Sequence, residues 1–547
     1  MDMIQLEQAL AEKRILIVDD LVEARSSLKK MMSMMGANHI DTATDGNEAM
    51  RFIMERDYDI VLSDYNLGKG KDGQQILEEA RYSHRLKATS LFILVTGENA
   101  IDMVMGALEY EPDAYITKPY TLNILRERMV RILQIKLALE PINEAIDEQQ
   151  LEQAIALAQQ TLVSQPKLRL PLTRILGKLF LRLQRYPEAL AAYEALLEQR
   201  SVSWARLGQA ICMHYLGDSR TAIALLRQTL TLHPLYVQCY DWLAIILQAQ
   251  GDDKQAQQQL EKAVSISPKA VLRQMDLGRL ALKNDDYPVA EAAFEQAVRL
   301  GRHSCYKHAD NYLNFAKVVQ QGLHNDGSKQ SRVRSERIFK LVEELRQEYA
   351  GKDDIQYATH LLECKTYVRL DNDDKAREAA QRAEQQLTKL KQRTHAQQLQ
   401  MLDAYLDTQQ HVKAKQLIKQ LHKDNLSEPD AAQLSAQENR LNQIAIREYT
   451  TELNAKGVSY YEQREYEKAI AAFDEAIDYE EAGISVLLNA VQAKLSYMET
   501  QNVDVRQLKD CHQLFKRIGT VGSNDERYTR YQRLRDTYAR LKRAAGL

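Results

Sequence analysis

Proline, glycine and cysteine are scarce: 10 Pro, 21 Gly and 5 Cys in 547 residues. Sandwiches and barrels built on many tight turns need more of the first two, so a mostly helical chain with short connections is expected. Cys212, Cys239, Cys305, Cys364 and Cys511 lie far apart with no CxxC pair. That suggests neither a zinc site nor a disulfide framework and suits a reducing compartment. No apolar run approaches the ~20 residues of a membrane span. The opening MDMIQLEQALAEKR is charged and amphipathic rather than a secretory leader. A cytoplasmic protein is therefore expected. Strong positive charge is also missing. The first 140 residues carry 17 Lys+Arg against 23 Asp+Glu and the remainder 56 against 53, for a total of −3. A nucleic-acid binder would show a basic footprint, so that class is disfavoured.

The length exceeds what one hydrophobic core supports, about 250–300 residues, so two or more units or a repeat array are expected. The first unit is legible as alternation. Arg14–Asp20, His39–Thr42, Asp59–Asp64, Ser90–Thr96 and Ala114–Lys118 read as strands, with helices near 21–35, 46–55, 73–84 and 99–109 and from about 121. Five strand–helix units without hairpins imply an α/β doubly wound parallel sheet, whose chemistry sits at the carboxyl ends of its strands. Those ends carry Asp19 and Asp20, Asp64, Thr96, and Lys118-Pro119. Three carboxylates at one edge repel unless a cation neutralises them, and a hard divalent ion such as Mg²⁺, which favours oxygen ligands and phosphate partners, suits the set. The lysine adds a second positive charge for a phosphoryl group.

This set, with Tyr115 three residues before the lysine, resembles the CheY-like receiver domain of bacterial two-component response regulators over about residues 13–139. The resemblance implies that Asp64 is the phosphoacceptor, taking a phosphoryl group from a phosphohistidine of a sensor histidine kinase. It implies Mg²⁺ held by Asp20, Asp64 and the Asn66 backbone carbonyl, with Asp19 helping through water. Lys118 and Thr96 would contact the phosphoryl oxygens, and Thr96 with Tyr115 would form the switch. The reporting face would be the helix near 99–109, the last strand and the last helix. Two stretches depart from the family: the loop Tyr65–Gly73 is one residue longer and lacks its customary proline, and Glu109–Asp113 is unusual. Asn66 and Glu98 match the residue types of the chemotaxis regulator.

Beyond residue 141 the text turns helical and repetitive. Gly217-Asp218 recurs as Gly251-Asp252, Pro234 as Pro268, and Ala222 as Ala256 and Ala290, all at a spacing of 34. Small residues precede aromatics by four in Ala189/Tyr193, Ala290/Phe294 and Ala469/Phe473. This period resembles the tetratricopeptide repeat (TPR), a helix–turn–helix unit that stacks into an all-α solenoid. Gly177, Ala244, Gly278 and Gly457 would let paired helices approach, and Pro187 and Pro288 sit where a second helix starts. The expected organisation is a leader at 1–13, a receiver at 14–139, repeats over 141–482 with the best at 169–302 and 449–482, and capping helices at 484–547. The Gly322–Lys329 connection interrupts the array.

A groove of this kind takes an extended peptide or a partner helix. Arg174, Lys178 and Arg182 at i, i+4, i+8, with Arg279 and Lys283 further along, would favour an acidic partner if they face it. Self-association into a homodimer is compatible with this architecture. No GxxxxGK[ST] loop, GxSxG elbow, GGDEF-like run or basic recognition helix is visible, so neither an output enzyme nor a DNA reader is expected. The chemistry would be limited to the receiver's own phosphorylation and dephosphorylation. The leading reading is a response regulator whose phosphorylation state controls a protein-binding scaffold through the helix near 121–139. Its alternative is a phosphorelay intermediate passing phosphoryl from Asp64 to a histidine phosphotransfer protein.

Overall fold

The computed structural model describes residues 3–68, 70–97, 112–479 and 483–546. Its contacts divide the chain into two units, one ending at Ile355 and one starting at Gln356.

The first unit opens on helix α1 (Met3–Ala11) and continues as β1 (Arg14–Val18), α2 (Val22–Met34), β2 (His39–Ala43), α3 (Gly46–Glu55), β3 (Ile60–Asp64), α4 (Gly73–Tyr82), β4 (Leu91–Thr96), β5 (Ala114–Thr117) and α5 (Leu122–Ala138). The helix expected near 99–109 and Glu98 lie outside the described residues. All strands are parallel, in the order β2-β1-β3-β4-β5. Every residue of β3 and β4 is buried, as an apolar run covered on both faces requires. Alternate side chains serve opposite layers. Ile15 and Ile17 join Leu28, Met32, Leu125 and Met129 on one face. Leu16 and Val18 join Met50, Ile53, Ile76 and Leu77 on the other.

The stretch read as a leader is part of this core. Leu6 and Leu10 of α1 are fully buried among the α2 and α5 side chains. The chain turns at Gly36 (φ +98°), where a Cβ would come within 2.7 Å of the Glu7 backbone. Leu10→Ala should therefore cost about 2–5 kcal/mol, the usual range for emptying a packed leucine site. It should show as a lowered midpoint of the receiver's unfolding followed by hydrogen exchange.

From Glu140 to Glu348 the first unit is a run of antiparallel helix pairs. The turns between paired helices use left-handed residues, Gln149 (φ +61°), Gln184 (+58°), Gly217 (+95°), Gly251 (+82°) and Asp285 (+59°), with Gly327 (+65°) in the longer last connection. Asp218, Asp252 and Asp286 then cap the following helices through their carboxylates, which explains the recurring Gly-Asp. Pro187 and Pro288 occupy the first turns of their helices. The Tyr193 ring is wedged between Gly177 and Gly208, where a Cβ would fall 2.3 and 2.4 Å from ring-side atoms. Asp241 and Arg273 tie neighbouring helices together across 2.7 Å contacts, with the arginine side chain almost fully buried. The Gly322–Lys329 connection is a capped turn, its Ser328 opening the helix Lys329–Glu348.

The second unit contains further helix pairs, with Phe473 packed where Gly457 lacks a side chain. The first helix of the repeat expected over 449–482 is the end of a longer one. Residues Glu428–Glu462 form one continuous helix of 35 residues, with Pro429 in its first turn, where a missing N–H costs nothing. No glycine or proline falls between Pro429 and Gly457, so nothing in the sequence breaks the helix at 449. Helices Ile484–Thr500, Val505–Ile518 and Tyr528–Ala544 complete the unit and share one core with Phe473. Among the described residues no helix is long and apolar enough to cross a membrane.

Candidate functional site

The strand order reverses direction between β1 and β3, and ligands of such sheets bind at the carboxyl ends beside that switch point. Asp19 follows β1 directly and is buried, Asp20 beside it is exposed, and Asp64 ends β3 with its side chain almost covered. Thr96 ends β4, also buried, and Lys118 follows β5. The structure brings the three aspartates and the lysine together. The Lys118 ammonium lies 2.8 Å from Asp19 Oδ2 and 2.7 Å from Asp64 Oδ2. Asp19, Asp20 and Asp64 each place a carboxylate oxygen within 4.8 Å of the others.

The backbone holds this arrangement. The Lys118 amide donates to the Thr96 carbonyl at 2.6 Å, and the Lys118-Pro119 peptide is cis. The Leu21 amide donates to Asp19 Oδ1 at 3.0 Å, and Arg25 Nη1 donates to the Asp19 carbonyl at 2.6 Å. The Asn66 amide reaches Asp64 Oδ1 at 3.4 Å. Tyr115 pairs with Leu94 in the β4–β5 register, two residues before the Thr96 pair, so Tyr115 and Thr96 project from the same face of the sheet.

Burial raises the Asp64 carboxyl above its ordinary value, with the Lys118 hydrogen bond and charge pulling it back down and Asp19 pushing it up. Lys118 shows the complement: burial disfavours its charge, and the bonds to Asp19 and Asp64 outweigh that and raise it. The site is thus a cluster of hard oxygen donors already arranged around one cation. That donor chemistry fits Mg²⁺.

Sequence reasoning missed the glycine that closes the acceptor loop. At Gly73 a Cβ would sit 2.2 Å from the Asp64 carbonyl oxygen, so the chain leaving Asp64 can return to the strand end only with glycine there. The missing side chain leaves a sequence signal, Asp72-Gly73 ahead of a helix, but the signal does not reveal what the backbone approaches. Arg25 was also missed, since its contact is to a main-chain carbonyl.

Comparison with known proteins places this geometry. The response regulator receiver domain model matches residues 15–130. The chemotaxis protein CheY-3 of Vibrio cholerae is 30% identical over 121 residues, 22% of this chain and 92% of that protein. The chain belongs to the response-regulator receiver family. The chemotaxis protein CheY of Pseudomonas aeruginosa is 29% identical over 121 residues, covering 96% of its length and 22% of this chain. A CheY-like receiver from Methanospirillum hungatei matches structurally at 28% identity over 23% of this chain and 95% of its own, with a TM-score of 0.21. The C-terminal part of a TPR repeat-containing protein from Cytophaga hutchinsonii aligns with 49% of this chain and 98% of its own at 13% identity, TM-score 0.37. Tetratricopeptide repeat models match residues 142–203 and 275–314, and 237–269 and 453–482. The chain is therefore a CheY-like receiver followed by tetratricopeptide repeats, and its receiver belongs to two-component signalling.

The basic residues singled out in the repeats have neighbours of their own. Arg174 lies over the Trp204 ring at 5.7 Å, and Arg182 donates to Gln149 at 2.7 Å. Lys178, between them, is exposed. Arg279 pairs with Asp276 at 3.4 Å and Lys283 with Asp253 at 2.6 Å. In the second unit a cavity of about 710 Å³ has a lining of mixed charge, Arg530 and Arg533 with Glu462, Glu499 and Glu526, beside Tyr461 and Gln492 among others. The Arg530 guanidinium donates to Gln492 and Asn489, and burial lowers its proton affinity.

Proposed function

We propose that Asp64 accepts a phosphoryl group from a sensor histidine kinase and that the receiver's state controls which proteins the repeats bind. The observation that carries this reading is the Lys118 ammonium shared by Asp19 and Asp64 at the strand ends, with Asp20 beside them. An Asp64 carboxylate oxygen attacks the phosphorus, forming an acyl phosphate as the phosphorus–nitrogen bond of the donor histidine breaks and the imidazole leaves. Asp19, Asp20, Asp64 and the Asn66 carbonyl would hold Mg²⁺, which when bound neutralises charge on the phosphoryl oxygens. Lys118 stays charged throughout and turns from Asp64 toward the new phosphoryl oxygens. Thr96 donates its hydroxyl to the same oxygens, and Tyr115, on its face of the sheet, follows that movement.

The output of this reading is protein binding rather than DNA binding or catalysis. A groove between helices takes a partner segment. The test uses the full chain with the phosphohistidine domain of a candidate kinase, following phosphoryl uptake with and without a chelator. Uptake in Mg²⁺ that is lost on chelation and lost in Asp20→Asn supports the site. Uptake unaffected by both sinks it.

A further inference from the structure

The receiver's expected reporting surface was the helix near 99–109, the last strand and the last helix. Several contacts between described residues of the receiver and the repeats lie elsewhere. The Lys269 ammonium, in the turn before the helix Val271–Lys283, stands 5.3 Å from the centre of the Tyr65 ring and 3.9 Å from Asp72 Oδ2. Both residues belong to the loop that leaves Asp64. Gln75 of α4 reaches the Leu300 carbonyl at 3.5 Å. Tyr82, at the end of α4, meets Tyr306 edge to face at 5.6 Å. Cys305 lies close enough to α4 for Glu78 and Glu79 to act on its thiol. At the opposite end of the strands Asp147 accepts from the Ala88 amide at 2.5 Å and from the Thr89 amide and hydroxyl at 3.0 and 2.8 Å. The repeats of the first unit therefore grip the receiver at both ends of its strands.

The geometry points to the repeat surface between Lys269 and Tyr306 as a docking surface whose occupant is the chain's own acceptor loop and α4, held there while Asp64 is unphosphorylated. This deepens the proposed receiver function and rests on it. The loop that Lys269 contacts is the one beside which a phosphoryl group on Asp64 is added, since Tyr65 follows the acceptor directly and Gly73 returns the chain to the Asp64 carbonyl. The docked arrangement goes with Lys118 clasped to Asp64. A contact that favours the unphosphorylated state is weakened by phosphorylation, and removing it favours phosphorylation by the same factor. Release uncovers a surface fitted to a short helix with acidic and tyrosine side chains, the chemistry of α4 itself.

Cys305 reports on the docking. Burial and then Glu78 push its thiol up to about 11, whereas burial holds Cys212, Cys239, Cys364 and Cys511 at about 12. These four are buried and Cys305 half-buried. In the native full chain at a pH of about 8, iodoacetamide should react at Cys305 alone, with all five thiols reacting after denaturation. Loading Asp64 with beryllofluoride and Mg²⁺, a phosphoryl mimic, should speed Cys305 alkylation at least about fivefold, and Asp64→Asn should not respond. Tyr82→Ala and Lys269→Glu, one on each side of the contact, should show the faster rate without the mimic while the four buried thiols stay unreactive. A Cys305 rate unchanged or slowed by the mimic, or unchanged in both variants, overturns the docking. Phosphoryl uptake measured in the same samples separates the two readings: uptake with an unresponsive Cys305 defeats only the docking, and no uptake defeats the receiver function.

Discussion

Lys118→Ala should lower the rate of phosphoryl uptake at Asp64 by about 10²–10³-fold, the usual cost of losing one fixed charge aimed at developing oxyanions. The geometry explains why the loss is large. Lys118 is the cation that two buried carboxylates share, at 2.8 and 2.7 Å. Without it, Asp19 and Asp64 face each other as like charges, and burial already raises Asp64. One of the pair then holds a proton more readily, which removes nucleophile as well as stabilisation. The rate deficit should consequently grow as pH falls toward the carboxylate range, while Lys118→Arg should retain part of the activity. Single-turnover uptake from a small acyl phosphate across pH measures both.

Asp241→Ala should destabilise the repeats of the first unit by about 3–5 kcal/mol, because it strands a buried guanidinium. Arg273 donates to both Asp241 oxygens at 2.7 Å and to the Ser267 carbonyl at 3.2 Å, with its side chain nearly inaccessible. Asp276 moderates the loss. Burial chiefly raises its proton affinity, and Asp241 adds to that rise, so removing Asp241 eases ionisation of a carboxylate that already acts on Arg273. The cost should therefore fall toward the lower end. The double replacement Asp241→Ala with Arg273→Met should be less harmful than Asp241→Ala alone, since it removes the unpaired charge with its partner. Denaturant unfolding of the wild type and both variants measures the difference.

The receiver's strands and site were legible because a parallel sheet buries whole apolar runs and leaves its polar residues at the ends. Asp19, Asp64, Thr96 and Lys118 each stand at or directly after the end of a strand. Helix α1 was not legible, since Leu6 and Leu10 are apolar residues in a charged stretch and their burial depends on α2 and α5. The repeats announced themselves through one left-handed turn residue per pair, Gly217 and Gly251, but Gln184 and Asp285 fill the same place without glycine and hide it. The repeat at 449–482 was legible, and a repeat model matches 453–482, but the pattern does not show that its first helix already runs from Glu428. The partners of Lys269 were out of reach: Tyr65 and Asp72 belong to the receiver, far away in sequence, and neither composition nor period connects them to the repeats.

Everything proposed for this chain stands on Asp64 being the residue that carries the phosphoryl group. The most direct measurement treats the full chain with a small acyl phosphate and Mg²⁺, reduces the product with borohydride, and locates the modified residue by tandem mass spectrometry. An acyl phosphate on aspartate is reduced to homoserine, so the expected result is homoserine at position 64 in the wild type and none in Asp64→Asn. Homoserine at another aspartate, or none in the wild type with Mg²⁺ present, would contradict it.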